Sequence, residues 1–257
     1  MWRPGFPIAT SAAPSQRRDF EALCSRRAER ARVLADRFPE SAEALTFYEA
    51  VALFQRDATP RKLLDLVAAR GPDLLRDLAG ELDEDACREA LHAYQSGQDR
   101  SSPKSFFGRV LLQAETALEP PKPLKPLKPL KNDAVEASAE HCPRCSHAPQ
   151  LGCLVPEGDG TAFTLSCSLC FGEWLYPREG CPSCGDTGDA RLVHYHAPEL
   201  EHLEVRACDR CHVYLNVIRL ADAPDAVPDA DEIAALPLDV WAQERGYRKL
   251  VRNLIGA

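Results

Sequence analysis

Four Cys-x-x-Cys pairs crowd into one third of this chain and constrain it more than any other feature. They are Cys142–Cys145, Cys167–Cys170, Cys181–Cys184 and Cys208–Cys211. A turn of this kind aims two thiolates at one ion, and two facing turns complete a tetrahedron. The gap between the first two pairs is 21 residues and that between the last two is 23, slightly above the usual ribbon spacing and enough for a hairpin. The pairs also repeat. Cys142 and Cys145 map onto Cys181 and Cys184 with offset 39, and Cys167 and Cys170 onto Cys208 and Cys211 with offset 41. Each repeat runs knuckle, strand, strand, knuckle, aromatic strand, with Trp174 and Tyr176 answered by Tyr214. The repeat favours sequential pairing, first with second and third with fourth. A crossed pairing stays open, as does dithiol exchange, although that chemistry usually wants one pair at a helix N-terminus.

The cysteines matter because of where the chain is expected to live. No apolar run reaches the roughly 18 residues of a membrane span. The first twenty residues lack the order of charge, apolar core and cleavage site of a secretory signal. The expected location is therefore the cytoplasm, where paired cysteines hold metal more often than they form disulfides. A net charge of −8 and a pI near 5.4 argue against nucleic-acid binding, which needs Lys and Arg to neutralise phosphates.

The chain divides by texture. Residues 1–118 read as a helical domain, with Ser41 as an N-cap, a Thr-Pro start at Thr59 and a stop at Gly97. Arg26, Arg27, Arg30 and Arg32 form a candidate basic patch on a solvated helix face. Residues 119–140 are a Pro/Lys-rich linker built on repeated Lys-Pro-Leu. Proline at every third position excludes helix and central strand, so a polyproline II spacer of about 45 Å is expected. Residues 141–180 and 181–220 are the two metal modules, short strands punctuated by Gly and Pro. Residues 221–257 form an acidic helical tail. The fold class is α+β: a helical N-terminal domain, two tandem rubredoxin-like or zinc-ribbon modules, and a helical C-terminal tail.

Other candidates are weaker. Cys24, Cys87, Cys153 and His92 are expected to be packed or solvated side chains. His141, His147 and His212 flank knuckles and could replace a cysteine. His194 and His196 share a strand face and, with His202, could form a histidine site, although an exposed face is favoured. A closed shell of four thiolates cannot activate water, and GxSxG, P-loop, HExxH and GxGxxG patterns are all missing. The expectation is a protein that is not an enzyme.

Several stretches resemble the FdhE family of formate dehydrogenase accessory proteins: the opening CPRCSHAP, LSCSLCFGEW, CPSCG, CDRCHVYLNVI and the tail PLDVWAQERGYRKLVRNLIG. The resemblance covers about residues 140–256; Ser146 stands where the family tends to glycine, and the Lys-Pro-Leu linker and short N-terminus depart from the usual member. It implies a rubredoxin-like cysteine half. It also implies a cytosolic role in maturing formate dehydrogenase before twin-arginine export, through contact with the catalytic subunit. The family's Cys-x-x-Cys sites are associated with iron. The thiolate sets alone suit iron or zinc equally, one ion per site. The rivals are a rubredoxin-type iron electron carrier and a nucleic-acid-binding zinc-ribbon protein.

Overall fold

The computed structural model describes residues 14–118, 140–187 and 192–255. The Lys-Pro-Leu segment and the first residues of the chain lie outside them. Proximity groups the chain into two compact units, residues 1–26 with 50–122 and residues 27–49 with 123–257. This grouping cuts across the linear division at residue 118, because residues 27–49 go with the cysteine-rich half.

The helices are α1 (Pro14–Arg37), α2 (Ala42–Phe54), α3 (Pro60–Arg70), α4 (Asp73–Glu81), α5 (Glu84–Ser96) and α6 (Ser105–Leu118). In the first unit the expected helix ends hold. The Thr59 hydroxyl accepts the Lys62 amide, and Gly97 closes α5 in the left-handed conformation at φ 79°. Asp83 also caps α5 by accepting the Ala86 amide at 2.8 Å. Gly108 lets α6 approach α5 closely, since a Cβ there would lie 2.2 Å from the Ala90 carbonyl oxygen. Gln55 donates to Gln113 at 2.9 Å, pairing two amides inside this unit.

The second unit is built on one sheet. Its strands are β1 (Pro149–Glu157), β2 (Gly160–Cys167), β3 (Glu173–Leu175), β4 (Leu192–His196), β5 (Leu203–Cys208), β6 (Val213–Arg219) and the short β7 (Arg248–Lys249). The order is β3-β2-β1-β6-β5-β4, with β7 beside β6. Each repeat forms its own antiparallel meander, as its sequence pattern implies. The two meanders then fuse through parallel pairing of β1 with β6, Gly152 opposite Val217. Helices α7 (Pro228–Ala234) and α8 (Leu236–Glu244) lie in the same unit. The tail is thus not helix throughout: β7 pairs with β6, placing Lys249 opposite Tyr214. Ser41 is no N-cap; it sits in a 3-10 turn and its buried hydroxyl donates to the Ala234 carbonyl at 3.2 Å. No described helix is long and apolar enough to cross a membrane.

Candidate metal centres

Each knuckle is held by its own backbone. The Ser146 amide donates to the Cys142 carbonyl at 2.8 Å, Gly185 to Cys181 at 2.9 Å and His212 to Cys208 at 2.8 Å, while in the second knuckle the Cys167 amide donates to the Gly172 carbonyl at 3.0 Å. The residue after the second cysteine turns left-handed in all four: Ser146 at φ 62°, Phe171 at 56°, Gly185 at 68° and His212 at 54°. This turn swings the chain away and leaves both sulfurs on one side. Only Gly185 adopts it without a steric cost. A side chain there costs on the order of 1 kcal/mol, so Ser146→Gly should raise the folding stability of the metal-loaded protein by that order, read as a higher denaturation midpoint. A lowered midpoint would mean that the serine hydroxyl makes a compensating bond.

Pairing is sequential. The sulfurs of Cys142, Cys145, Cys167 and Cys170 all lie within 4.8 Å of one another, and so do those of Cys181, Cys184, Cys208 and Cys211. The crossed arrangement does not occur. The sulfur separations are 3.5 Å for Cys142 to Cys170, 3.3 Å for Cys145 to Cys167, 3.7 Å for Cys181 to Cys211 and 3.9 Å for Cys184 to Cys208. A disulfide would need about 2.05 Å. A thiolate tetrahedron with about 2.3 Å bonds has edges of about 3.8 Å. The residues therefore fit a tetrahedral ion, and either set could hold one. Backbone amides of Arg144 and Leu169 point at the Cys142 and Cys167 sulfurs, each at 3.4 Å. A crowded set of thiols offers one another only weak acceptors until one gives up its proton. Hydrogen bonds from Cys145, Cys167 and Cys170 accordingly hold Cys142 far below the ordinary thiol range.

The remaining candidates fall as the packing dictates. Cys24 and Cys87 are fully buried, and burial pushes the Cys87 thiol up to about 11. Cys153 is buried in β1 and shifted up by desolvation. His92, His141 and His212 are exposed, while the buried His147 ring faces the Cys145 carbonyl at 3.1 Å. His194 and His196 flank the buried Glu204 at 3.4 and 3.7 Å, but His202 is elsewhere, bonded to Asp231 at 2.9 Å. The three histidines do not converge. Among the described residues only the two cysteine sets bring three or more such ligands together.

The arginine patch is corrected by the fold. Arg27 is buried, pairs with Asp229 at 2.6 Å and lies over the Phe171 ring at 3.6 Å from its centroid. Arg30 grips Asp231 with two bonds of 2.9 and 2.6 Å, and Arg32 meets Glu49 at 2.8 Å. Arg27 and Arg30 are thus spent inside the second unit, where they fasten α1 to α7 and to the second knuckle, while Arg26 and Arg32 stay exposed, as a solvated helix face requires. Sequence reading also missed a buried network in the tail. Lys249 sits between Glu232 and Asp239, and Asp239 also accepts from Tyr214 at 3.1 Å and Asn216 at 2.9 Å. Its one sequence signal was the cluster of acids that opens the tail.

Fold and site together define a protein with a helical N-terminal region and two tandem four-cysteine modules able to hold two metal ions. Residues 180–255 match the family model described as FdhE, C-terminal domain. A protein FdhE homolog from Aquifex aeolicus is 38% identical over 118 residues, which are 45% of this chain and 41% of that protein. One from Stutzerimonas stutzeri is 32% identical over 116 residues, 44% of this chain and 37% of that protein. These alignments span about two fifths of the relatives' length. A homolog from Shewanella baltica strain OS185 is 26% identical across 97% of this chain and 94% of its own. The crystal structure of the FdhE protein from Pseudomonas aeruginosa superposes with a TM-score of 0.64 at 24% identity, covering 91% of this chain and 96% of that one, and so shares the fold. The resemblance to the FdhE family carried by the knuckles is borne out in sequence and in fold.

Proposed function

We propose that this chain is a cytoplasmic accessory protein that matures formate dehydrogenase by binding its catalytic subunit before export, without being an enzyme itself. The observation that carries the reading is the pair of closed four-cysteine sets on an FdhE-type framework. In this reading Cys142, Cys145, Cys167 and Cys170 hold one ion and Cys181, Cys184, Cys208 and Cys211 the other, iron or zinc. Residues 141–180 and 181–220 are the two metal modules, 1–118 the helical domain, 119–140 the linker and 221–257 the tail. A bound ion would cross-link two knuckles and, if iron, supply a one-electron couple. The protein's own residues do the rest: amides from Arg144 and Leu169 favour thiolate over thiol, and the left-handed turns fix the sulfurs. With Arg27 and Arg30 paired inside the fold, contact with the catalytic subunit falls to other surfaces, such as the edge strand β3 with its exposed Leu175. Binding there would tolerate salt, because screening weakens exposed charge pairs rather than apolar contacts.

Elemental analysis of anaerobically purified protein should find two ions per chain. One ion with four reactive thiols would remove the two-site reading. A clean deletion strain should make formate dehydrogenase polypeptide but little active enzyme. Normal activity there, with no paralogue present, would overturn the assembly role. The openness of Cys184 favours one second reading, a rubredoxin-type electron carrier. A reversible ferric/ferrous couple in the purified iron form, together with normal maturation in the deletion strain, would promote it.

A further inference from the structure

We propose that the two cysteine sets divide their roles: the second is an exchange site that passes its ion to a competing thiol or chelator through the side opened at Cys184, while the first retains its ion. The inference rests on the reading of both sets as metal sites. Ligand exchange at a filled tetrahedron needs an incoming donor to approach the ion and displace a sulfur, so access governs the rate.

The two sets differ in access at Cys184 and in what covers their knuckles. In the first, Cys142, Cys167 and Cys170 are buried and Cys145 is half-buried. Arg27 presses on Phe171, the residue after Cys170, and its guanidinium is anchored by Asp229, so the second knuckle is roofed by α1. The buried His147 ring packs against the Cys145 carbonyl on the other side. In the second set Cys184 is exposed, the only one of the eight to be so, and Cys211 is half-buried. Gly185 follows Cys184 and brings no side chain over it; a Cβ there would meet only the Glu140 carboxylate.

The step conserves charge and electrons. Cys184 would yield its position and take up the proton of the incoming thiol, which would bind as the thiolate, so the ion would keep its charge and nothing would be oxidised. The consequence would be felt in the tail. Tyr247 donates to Asp209 inside the fourth knuckle, and the Arg248 amide donates to the His212 carbonyl at 2.8 Å. Occupancy of the second set is therefore read by the C-terminal strand.

The test uses the full chain loaded with two zinc ions and an excess of 4-(2-pyridylazo)resorcinol. Zinc should leave in two phases of one ion each, their rates apart by about tenfold or more, equivalent to ~1.4 kcal/mol of barrier. Iodoacetamide added after the fast phase, followed by peptide mass spectrometry, should find Cys181, Cys184, Cys208 and Cys211 labelled and the first set protected. This arm needs no variant. Cys184→Ser should eliminate or accelerate the fast phase and leave the slow one unchanged. Release in one phase, or earlier labelling of Cys142, Cys145, Cys167 and Cys170, would overturn the inference while leaving both metal sites standing. A purified chain that takes up no zinc would instead remove the metal reading, and this inference with it.

Discussion

Lys249→Met is expected to cost about 3–5 kcal/mol of folding stability, the usual penalty for stripping the partner from a buried charge. The lysine side chain is 2% exposed, and its two carboxylate partners, Glu232 and Asp239, are 1% and 0% exposed. Burial opposes the charge of the ammonium, but the two carboxylates outweigh it and hold the pKa above its ordinary value. A raised lysine pKa means that the stabilisation is complete below the unfolded value and is lost only as pH climbs through the folded one. Neutral buffers therefore show it in full. Methionine would fill the volume and leave two carboxylates facing each other without a cation, beside the hydroxyl of Tyr214 and the amide of Asn216. Denaturant midpoints of the metal-loaded protein measure the loss. Adding Glu232→Gln and Asp239→Asn to Lys249→Met should recover most of it, since no buried charge is then left uncompensated. A loss below about 1 kcal/mol, the scale of an exposed pair, would mean that water reaches the network.

The tail shows why part of this fold could be read from sequence and part could not. Knuckles, repeats and helix ends are written in neighbouring residues. A Cys-x-x-Cys turn, a Thr-Pro start and a Gly97 stop each act within a few positions, and the structure follows them. Part of what escaped reading depends on partners about two hundred residues away. Arg27 and Arg30 have the spacing of a solvated helix face, and only the fold brings them to Asp229 and Asp231. Ser41 has the right identity for a cap but is drawn into the sheet unit by the Ala234 carbonyl. The parallel seam between β1 and β6 leaves no local mark either, because each strand has the composition of a buried strand whichever neighbour it finds. One missed feature did carry a signal. Gly185 marks the left-handed position after the third knuckle, and the repeat carries that requirement to Ser146, Phe171 and His212.

Removing both metal ions should unfold the sheet unit, taking part of the helix signal with it but leaving part behind. Structural metal binding is coupled to folding, with apparent free energies of ~10–16 kcal/mol per ion in zinc-finger peptides. No single contact in the second unit approaches that scale. Cysteine sets lie at the ends of both meanders, and the β1–β6 seam couples the meanders to each other. Losing the ions thus removes both clamps from one continuous sheet. Residues 27–49 belong to that unit through Arg27, Arg30 and Ser41, so the end of α1 and the start of α2 should lose their support together with α7 and α8. Residues 50–118 form the bulk of the other unit, with their own amide pair and the close α5–α6 contact at Gly108, and they contain no member of either cysteine set. Far-ultraviolet circular dichroism on adding a strong chelator to the reduced protein should therefore show a partial loss of helix. Hydrogen exchange should place the remaining protection in α3, α5 and α6. Complete retention of helix would show that residues 27–49 fold without the sheet. Cooperative loss of every helix would show that residues 50–118 cannot stand without the metal-held unit.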